Sequence, residues 1–454
     1  MNATPTVTHL ERVDDIPLLL AQLAKMKVVS LLDKHFPTHG NWQGLSLGRV
    51  VVWLAYILSE GDHRLNAVQG WVAGLMMTLR LCLGIPGMRE LDVSDDRLGL
   101  VLDHVGGNDA AWEAYERAQN AQLLRVYDLK ARRVRIDSTT AKSYVDVTPK
   151  GLFQFGHSKE HRPDLVQLKV NQSALDPLGL PLSTPVVSGE QADDPLYVPE
   201  IRKVQATLQR PGVLYVGDCK MAALATRADV AGCHDRYLCP LPAVQMPKAT
   251  LSVLLAPVWT GEQALTPVHR APETASDQPQ HIADGFSYRV TLTSAEGLQW
   301  QEQRLVVQSF KHAAAQQARL DQHLQQAERE ITLLNQRGRG RKRLNEAQMR
   351  AASDAILSRH QVTNVLCVEI EVETHTTHKR AYLARPARNI TTVEVAVKAI
   401  GDPVAYDEHV RALGWRVFVS NDLALDLEEA VLAYREQNTS LSAASNACAA
   451  SRWA

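Results

Sequence analysis

Two aspartates carry the clearest chemical signal. Asp137 closes the short apolar run Val134-Arg135-Ile136, and Asp218 closes the run Val213-Leu214-Tyr215-Val216-Gly217. An acid at the end of each of two buried, strand-like segments would bring two carboxylates together if those strands were neighbours. Carboxylate oxygens are the ligands that hard divalent cations require. A pair of Mg2+ ions about 3.5–4 Å apart neutralises a scissile phosphate and activates a water or 3′-hydroxyl, which is the chemistry of phosphodiester cleavage. Two carboxylates cannot hold two such ions in a defined geometry. A third acid is therefore expected, delivered by a helix packed on the sheet.

The elements that must position these acids can be read from periodicity. Residues 1–130 read as helical: Asp15-Ile16-Pro17 opens an amphipathic helix carrying Leu20, Leu23, Ala24, Val28, Leu31 and Leu32 and ending near Pro37. Further helices are expected from about 46 to 59 and over 67–81, 94–103 and 110–127. This first unit suits either dimerisation and packing or direct DNA contact. The pattern changes near 132. Strands are expected at 134–138, 164–175 and 182–188, the last two joined by the turn Asp176-Pro177-Leu178-Gly179. A helix over 197–208, with Ile201, Val204 and Leu208 on one side, leads to the strand ending at Asp218 and then to a helical pattern over 221–230.

From 242 to 410 the sequence reads as one large insertion. A stretch rich in Pro and Thr (240–279) precedes strands at 288–292 and 304–307. Leu320, Leu324, Ala327, Ile331 and Leu334 then form the seam of a helical hairpin. The hairpin's tip is Arg337-Gly338-Arg339-Gly340-Arg341-Lys342-Arg343, and its partner helix covers 346–359. A strand over 364–372, a basic link, a strand at 415–419 and a helix over 425–436 complete the pattern. The fold class expected is α/β: a ribonuclease-H-like mixed sheet core (131–241 and 411–437) with an α+β insertion (242–410) and an all-helical N-terminal domain (1–130). Residues 438–454 form a tail expected to be disordered.

Ile136-Asp137-Ser138-Thr139-Thr140, then Tyr215-Val216-Gly217-Asp218, then Tyr434-Arg435-Glu436 on a late helix resemble the DDE transposases of bacterial insertion sequences, in the branch with a Y-R-E-K signature. The segment Gly156-His157-Ser158-Lys159-Glu160-His161-Arg162-Pro163-Asp164-Leu165 is similar to that family's stretch between its first two acids. The resemblance runs over most of the chain. It implies hydrolytic nicking and strand transfer at transposon ends, with Asp137 and Asp218 as the first two catalytic metal ligands. Two Mg2+ ions, or Mn2+ in their place, would serve an intact site. Double-stranded DNA at transposon ends is the implied substrate, bound by a dimer or larger synaptic assembly. Tyr434 matches the signature tyrosine and Arg435 the residue after it, both placed against DNA, while Gln437 stands where the signature arginine belongs.

The third acid should fall seven residues after the tyrosine, and that position is Leu441. Glu436 cannot replace it, because five helical positions turn a side chain by roughly 140° away from the required face. Residues 438–454 carry no acid and no apolar periodicity. A displaced reading frame accounts for them: with suitably chosen synonymous codons the same stretch, read from its third base, encodes Y-L-I-E-R-G-F-E-R-L-R-G-K-P-L, an amphipathic helix with a glutamate where Leu441 stands. Two functions follow. One is a transposase impaired by its tail, and the other is a non-catalytic DNA-binding remnant that interferes with an intact copy.

Composition bounds these readings. At 454 residues with 45% hydrophobic and 22% charged residues the chain can bury sizeable cores. Six cysteines without a C-x-x-C pair argue against a disulfide framework and fit a reducing cytoplasm; the resemblance implies a bacterial one, with nucleoid association when bound to DNA. No signal pattern or membrane-length apolar run is present. The net charge of −1 gives no global basic excess, so local charge must carry nucleic-acid binding. Arg337, Arg339, Arg341, Lys342 and Arg343 suit either a solvated hairpin tip or phosphate contacts. Cys233, His234 and Cys239 lack a fourth zinc ligand. His375 and His378 read as surface residues, and Trp259 and Trp300 as packing residues or stacking platforms for a displaced base.

Overall fold

The computed structural model describes residues 10–11, 13–42, 44–158, 162–272, 278–336, 344–380 and 388–435. The N-terminal helices are α1 (Ile16–Lys25), α2 (Val28–His35), α3 (Val51–Glu60), α4 (Leu65–Gly74), α5 (Met76–Leu83), α6 (Asp95–Gly106) and α7 (Asp109–Val126). They enclose one apolar core that includes Leu20, Leu32, Val52, Val68, Leu79 and Met88. The single helix expected over 15–37 is two helices, because Lys27 adopts a left-handed conformation, φ 59°, and turns the chain between them. No helix of the described residues is long and apolar enough to cross a membrane.

The remaining elements are β1 (Arg133–Ser143), β2 (Val166–Leu175), β3 (Leu180–Ser183), β4 (Val186–Ser188), α8 (Tyr197–Leu208), β5 (Leu214–Val216), α9 (Leu224–Gly232), β6 (Arg236–Pro240), α10 (Lys248–Trp259), β7 (Thr266–Arg270), β8 (Gln280–Thr293), β9 (Gln299–Ser309), α11 (Phe310–Leu334), α12 (Glu346–His360), β10 (Leu366–Lys379), β11 (Arg388–Gly401), α13 (Pro403–Arg411), β12 (Trp415–Ser420) and α14 (Leu427–Arg435). The main sheet has the order β3-β2-β1-β5-β6-β12-β9-β8-β7, with β4 also pairing β2. Strands β1, β5 and β6 are parallel, whereas β2 and β3 continue antiparallel from β1. Three consecutive antiparallel strands followed through α8 by parallel strands on the far side of β1 constitute the ribonuclease-H-like core.

Helices cover both faces of this core. On one face Ile201 and Val204 of α8 pack with Val134, Ile136, Leu175 and Tyr215. On the other, Leu427, Ala430, Val431 and Ala433 of α14 pack with Leu214, Val216, Leu305 and Phe418. Strand β12 pairs with both β6 and β9, so β7, β8 and β9, which fall within the stretch read as an insertion, lengthen the core sheet itself. Helices α11 and α12 and the ribbon β10–β11 enclose a separate core of Leu320, Ala327, Ile331, Met349, Ile356 and Val397. Several elements were not expected from sequence: β6 follows α9, helix α10 and strand β7 occupy the stretch rich in Pro and Thr, and β11 and α13 occupy the stretch read as a basic link.

Helix α7 ties the helical domain to the sheet. Asn120 donates to the Leu182 carbonyl at 2.8 Å, and the Glu116 carboxylate accepts from the Thr184 amide and hydroxyl at 2.9 and 2.8 Å. Behind this joint Glu200, 1% exposed, accepts from the hydroxyls of Ser173 and Ser183. Burial pushes its carboxyl up from 4.5 to about 7; the serines and Lys203 pull it down, and Glu116 pushes it up. A raised folded pKa means that, between those two values, the folded protein holds a proton the unfolded chain has released. Stability therefore falls as pH rises from 4.5 to about 7, by on the order of 3 kcal/mol at 1.36 kcal/mol per unit. Glu200→Gln is expected to raise the denaturation midpoint above that of wild type at pH 8 and to leave it unchanged below pH 4.5. A difference independent of pH would contradict the assignment.

Candidate functional site

Strands β1 and β5 run parallel with Arg135 opposite Val216. Asp137 lies two residues beyond Arg135, within β1 and not at its end as the sequence pattern suggests, and Asp218 lies two residues beyond Val216, just past the end of β5; the register extended from Arg135 and Val216 sets the two acids at one level. Alternation along β1 sends Ile136 to the α8 face and Asp137 to the face on which α14 packs. Both aspartates are half-buried. The next amide in the chain, that of Ser138, donates to Asp137 Oδ1 at 2.9 Å, and the Lys220 amide donates to Asp218 Oδ1 at 2.8 Å, fixing Asp218 in a tight turn.

Sequence reasoning missed Tyr197. From the first turn of α8 its hydroxyl donates to Asp218 Oδ1 at 2.6 Å. Burial first, then the charge and hydrogen bond of Asp218 and the charge of Asp137, hold the phenol well above its ordinary range. The Asp218 charge also reaches Tyr434, whose hydroxyl is pushed up to about 12, mainly by burial. The Tyr434 ring packs 4.8 Å from that of Phe418. Arg435 donates to the Ile282 carbonyl at 3.3 Å and to Ser309 Oγ at 2.6 Å, and burial and Arg270 lower its pKa. The last described turn of α14 is thus docked against β12 and the β8–β9 pair, within reach of the Asp218 charge.

The other residues singled out by sequence are scattered. Arg337, Arg339, Arg341, Lys342 and Arg343, together with Glu436, Gln437 and Leu441, lie outside the described residues. Cys239 is buried in β6, while Cys233 Sγ accepts from Arg202 at 2.8 Å. Trp300 donates to the Tyr237 hydroxyl at 2.8 Å, and the Arg411 guanidinium lies 4.7 Å above the Trp259 ring. His375 pairs with Glu373 at 3.2 Å and His378 bonds Asn389 at 2.6 Å on the exposed ribbon.

Among the described residues no group of three or more His, Cys, Asp or Glu side chains is gathered for a metal. The acid pair on its own offers oxygen donors only, a set suited to Mg2+ or Mn2+ and not to zinc. Burial and the Asp218 charge push the thiol of Cys219, next in the chain, up from its ordinary value.

No family model matches the sequence, and no curated protein matches it. Among solved structures, the chain is similar to the piggyBac transposase in a synaptic complex with hairpin DNA, at 11% identity and a TM-score of 0.31 over 67% of this chain and 60% of that one. It is also similar to the Mos1 transposase in a paired-end complex with the left transposon end, at 12% identity and a TM-score of 0.17, over 54% of this chain and 85% of that one. The Mos1 strand transfer complex matches at 14% identity and a TM-score of 0.16, over 56% and 85% of the two chains. Each of the three is a transposase. The chain spans 60% of the length of the piggyBac protein, and its own strand order carries the fold assignment.

Proposed function

We propose that this protein is a DNA transposase of the DDE type, from the Y-R-E-K branch of bacterial insertion sequences, with its catalytic step impaired by its C-terminal tail. The observation that carries this reading is the acid pair: Asp137 within β1 and Asp218 just past the end of the parallel neighbouring strand β5, in a ribonuclease-H-like sheet. Asp137 and Asp218 would hold Mg2+, or Mn2+ in its place, as two ligands of a three-acid site. Bound there, the cation would supply charge neutralisation at the scissile phosphate and an acidified water or 3′-hydroxyl. The residues themselves supply position. The Ser138 and Lys220 amides fix the two carboxylates, and α14 docks on the sheet through Leu427, Val431 and Tyr434.

The substrate is duplex DNA at transposon ends, held by two or more copies of the chain. A second reading, a non-catalytic remnant that binds the same ends and interferes with an intact copy, is favoured by Leu441 in the third acid's place. Both readings require DNA binding through phosphates. Affinity for a duplex taken from the end of the element is expected to fall about 10³-fold between 50 and 200 mM salt if some six phosphates are contacted. Fluorescence anisotropy measures it. A flat salt response would count against both readings.

A further inference from the structure

The geometry points to Tyr197 as a positioning residue for the Asp218 carboxylate, with Gly217 supplying the space that lets its ring reach there. This inference rests on the proposed role of Asp218 as a metal ligand. Two observations support it independently. The first is the short hydrogen bond from the Tyr197 hydroxyl to Asp218 Oδ1, 2.6 Å. The second is the fit around Gly217: a Cβ there would lie 3.0 Å from Tyr197 Cε1 and 2.6 Å from Met221 Sδ. A side chain at 217 would therefore press on the ring that carries the hydroxyl.

Chain order explains why these groups meet. Tyr197 opens α8, 3% exposed and packed with Ile201 and Val204 against the sheet, so its ring is fixed by the same contacts that fix the helix. Strand β5 ends at Val216, and Gly217 continues toward the sheet, its amide donating to the Leu238 carbonyl at 3.2 Å. Asp218 then turns back over the phenol. The Tyr197 hydroxyl and the Lys220 amide both donate to Oδ1, so Oδ2 takes neither. The carboxylate is held in one orientation by two donors from different elements, with its remaining acceptor capacity directed elsewhere. Hydrogen-bond partners of this kind commonly set metal affinity by 10–100-fold.

The test is a titration of the full chain with Mn2+, reading free Mn2+ by electron paramagnetic resonance, together with the thermal midpoint. Tyr197→Phe keeps the ring and its packing and removes only the donor. It is expected to raise the Kd for Mn2+ about 10-fold with little change in midpoint, whereas a merely structural role would move the midpoint and leave the Kd alone. Gly217→Ala should weaken Mn2+ in the same direction by displacing the ring, and it carries the comparison if Tyr197→Phe does not fold. Asp218→Asn separates the two levels of the argument. If Asp218→Asn loses Mn2+ while Tyr197→Phe binds it as wild type does, the positioning role is wrong and the metal-site reading stands. If Asp218→Asn binds Mn2+ unchanged, the metal-site reading fails and the role of Tyr197 falls with it.

Discussion

Glu302→Ala is expected to destabilise the protein by about 3–5 kcal/mol, the cost of leaving a buried charge without its partner. Glu302 is 0% exposed and Arg227 3%. The Arg227 guanidinium pairs with Glu302 and also donates to the Ala222 carbonyl at 3.0 Å and to Gln245 at 2.9 Å. The Tyr237 hydroxyl donates to Glu302 at 2.7 Å and accepts from Trp300 at 2.8 Å. The network therefore joins α9 and β6 of the core to β9, the strand that lengthens the sheet beyond β12. Removing the carboxylate strands the guanidinium in a water-poor interior, where its two remaining acceptors cannot replace the lost charge. Arg227→Met combined with Glu302→Leu removes both charges and should recover most of the loss, since apolar groups of similar volume often replace a buried pair at little cost. Urea denaturation of the two variants measures the contrast. A loss below about 1 kcal/mol for Glu302→Ala would mean that water reaches the pair.

Much of the core was legible because its signals are local. Ile201, Val204 and Leu208 recur at helical spacing, and helix α8 spans the expected 197–208. The apolar runs that end on Asp137 and Asp218 mark buried strands in a region where a helical pattern has just stopped. The illegible parts depend on partners distant in sequence. Whether Val306 belongs to an insertion or to the core sheet is decided by its pairing with Val417 on β12, across more than a hundred residues, and nothing in the 304–307 pattern encodes that. Helix α10 was hidden by composition: the prolines near it suggest a loop, yet Pro247 caps the helix and Pro257 lies in its last turn. Arg135 is a further case that pattern alone does not resolve. In an alternating strand a charged residue reads as solvent-facing, but this one is fully buried beside Asp176 at 2.6 Å. The same limit applies to the site. The acids were visible beside apolar strand patterns, although β1 runs on past Asp137 to Ser143, whereas Tyr197 was not, since only the fold sets the start of α8 against the turn after β5.

The largest expected effect on activity concerns the tail. A version of the chain with residues 438–454 replaced by the displaced-frame peptide is expected to nick DNA at a transposon end about 10²–10³-fold faster than the present chain, the scale of losing one group that stabilises developing charge. Tyr434 lies near Asp218 on the last described turn of α14. Seven residues are close to two helical turns, so a glutamate at 441 on a continued helix would fall on the same stripe as Tyr434 and face the acid pair. The apolar residues of the restored peptide would bury that stripe against the sheet, so thermal stability should rise together with activity. The direct measurement is Mn2+-dependent nicking of a labelled transposon-end duplex by the present chain, the restored chain, and each carrying Asp137→Ala. The account predicts nicking by the restored chain alone, abolished by Asp137→Ala. Robust nicking by the present chain, lost on Asp137→Ala, would show that another acid completes the site; nicking by the restored chain that survives Asp137→Ala would contradict the acid pair itself.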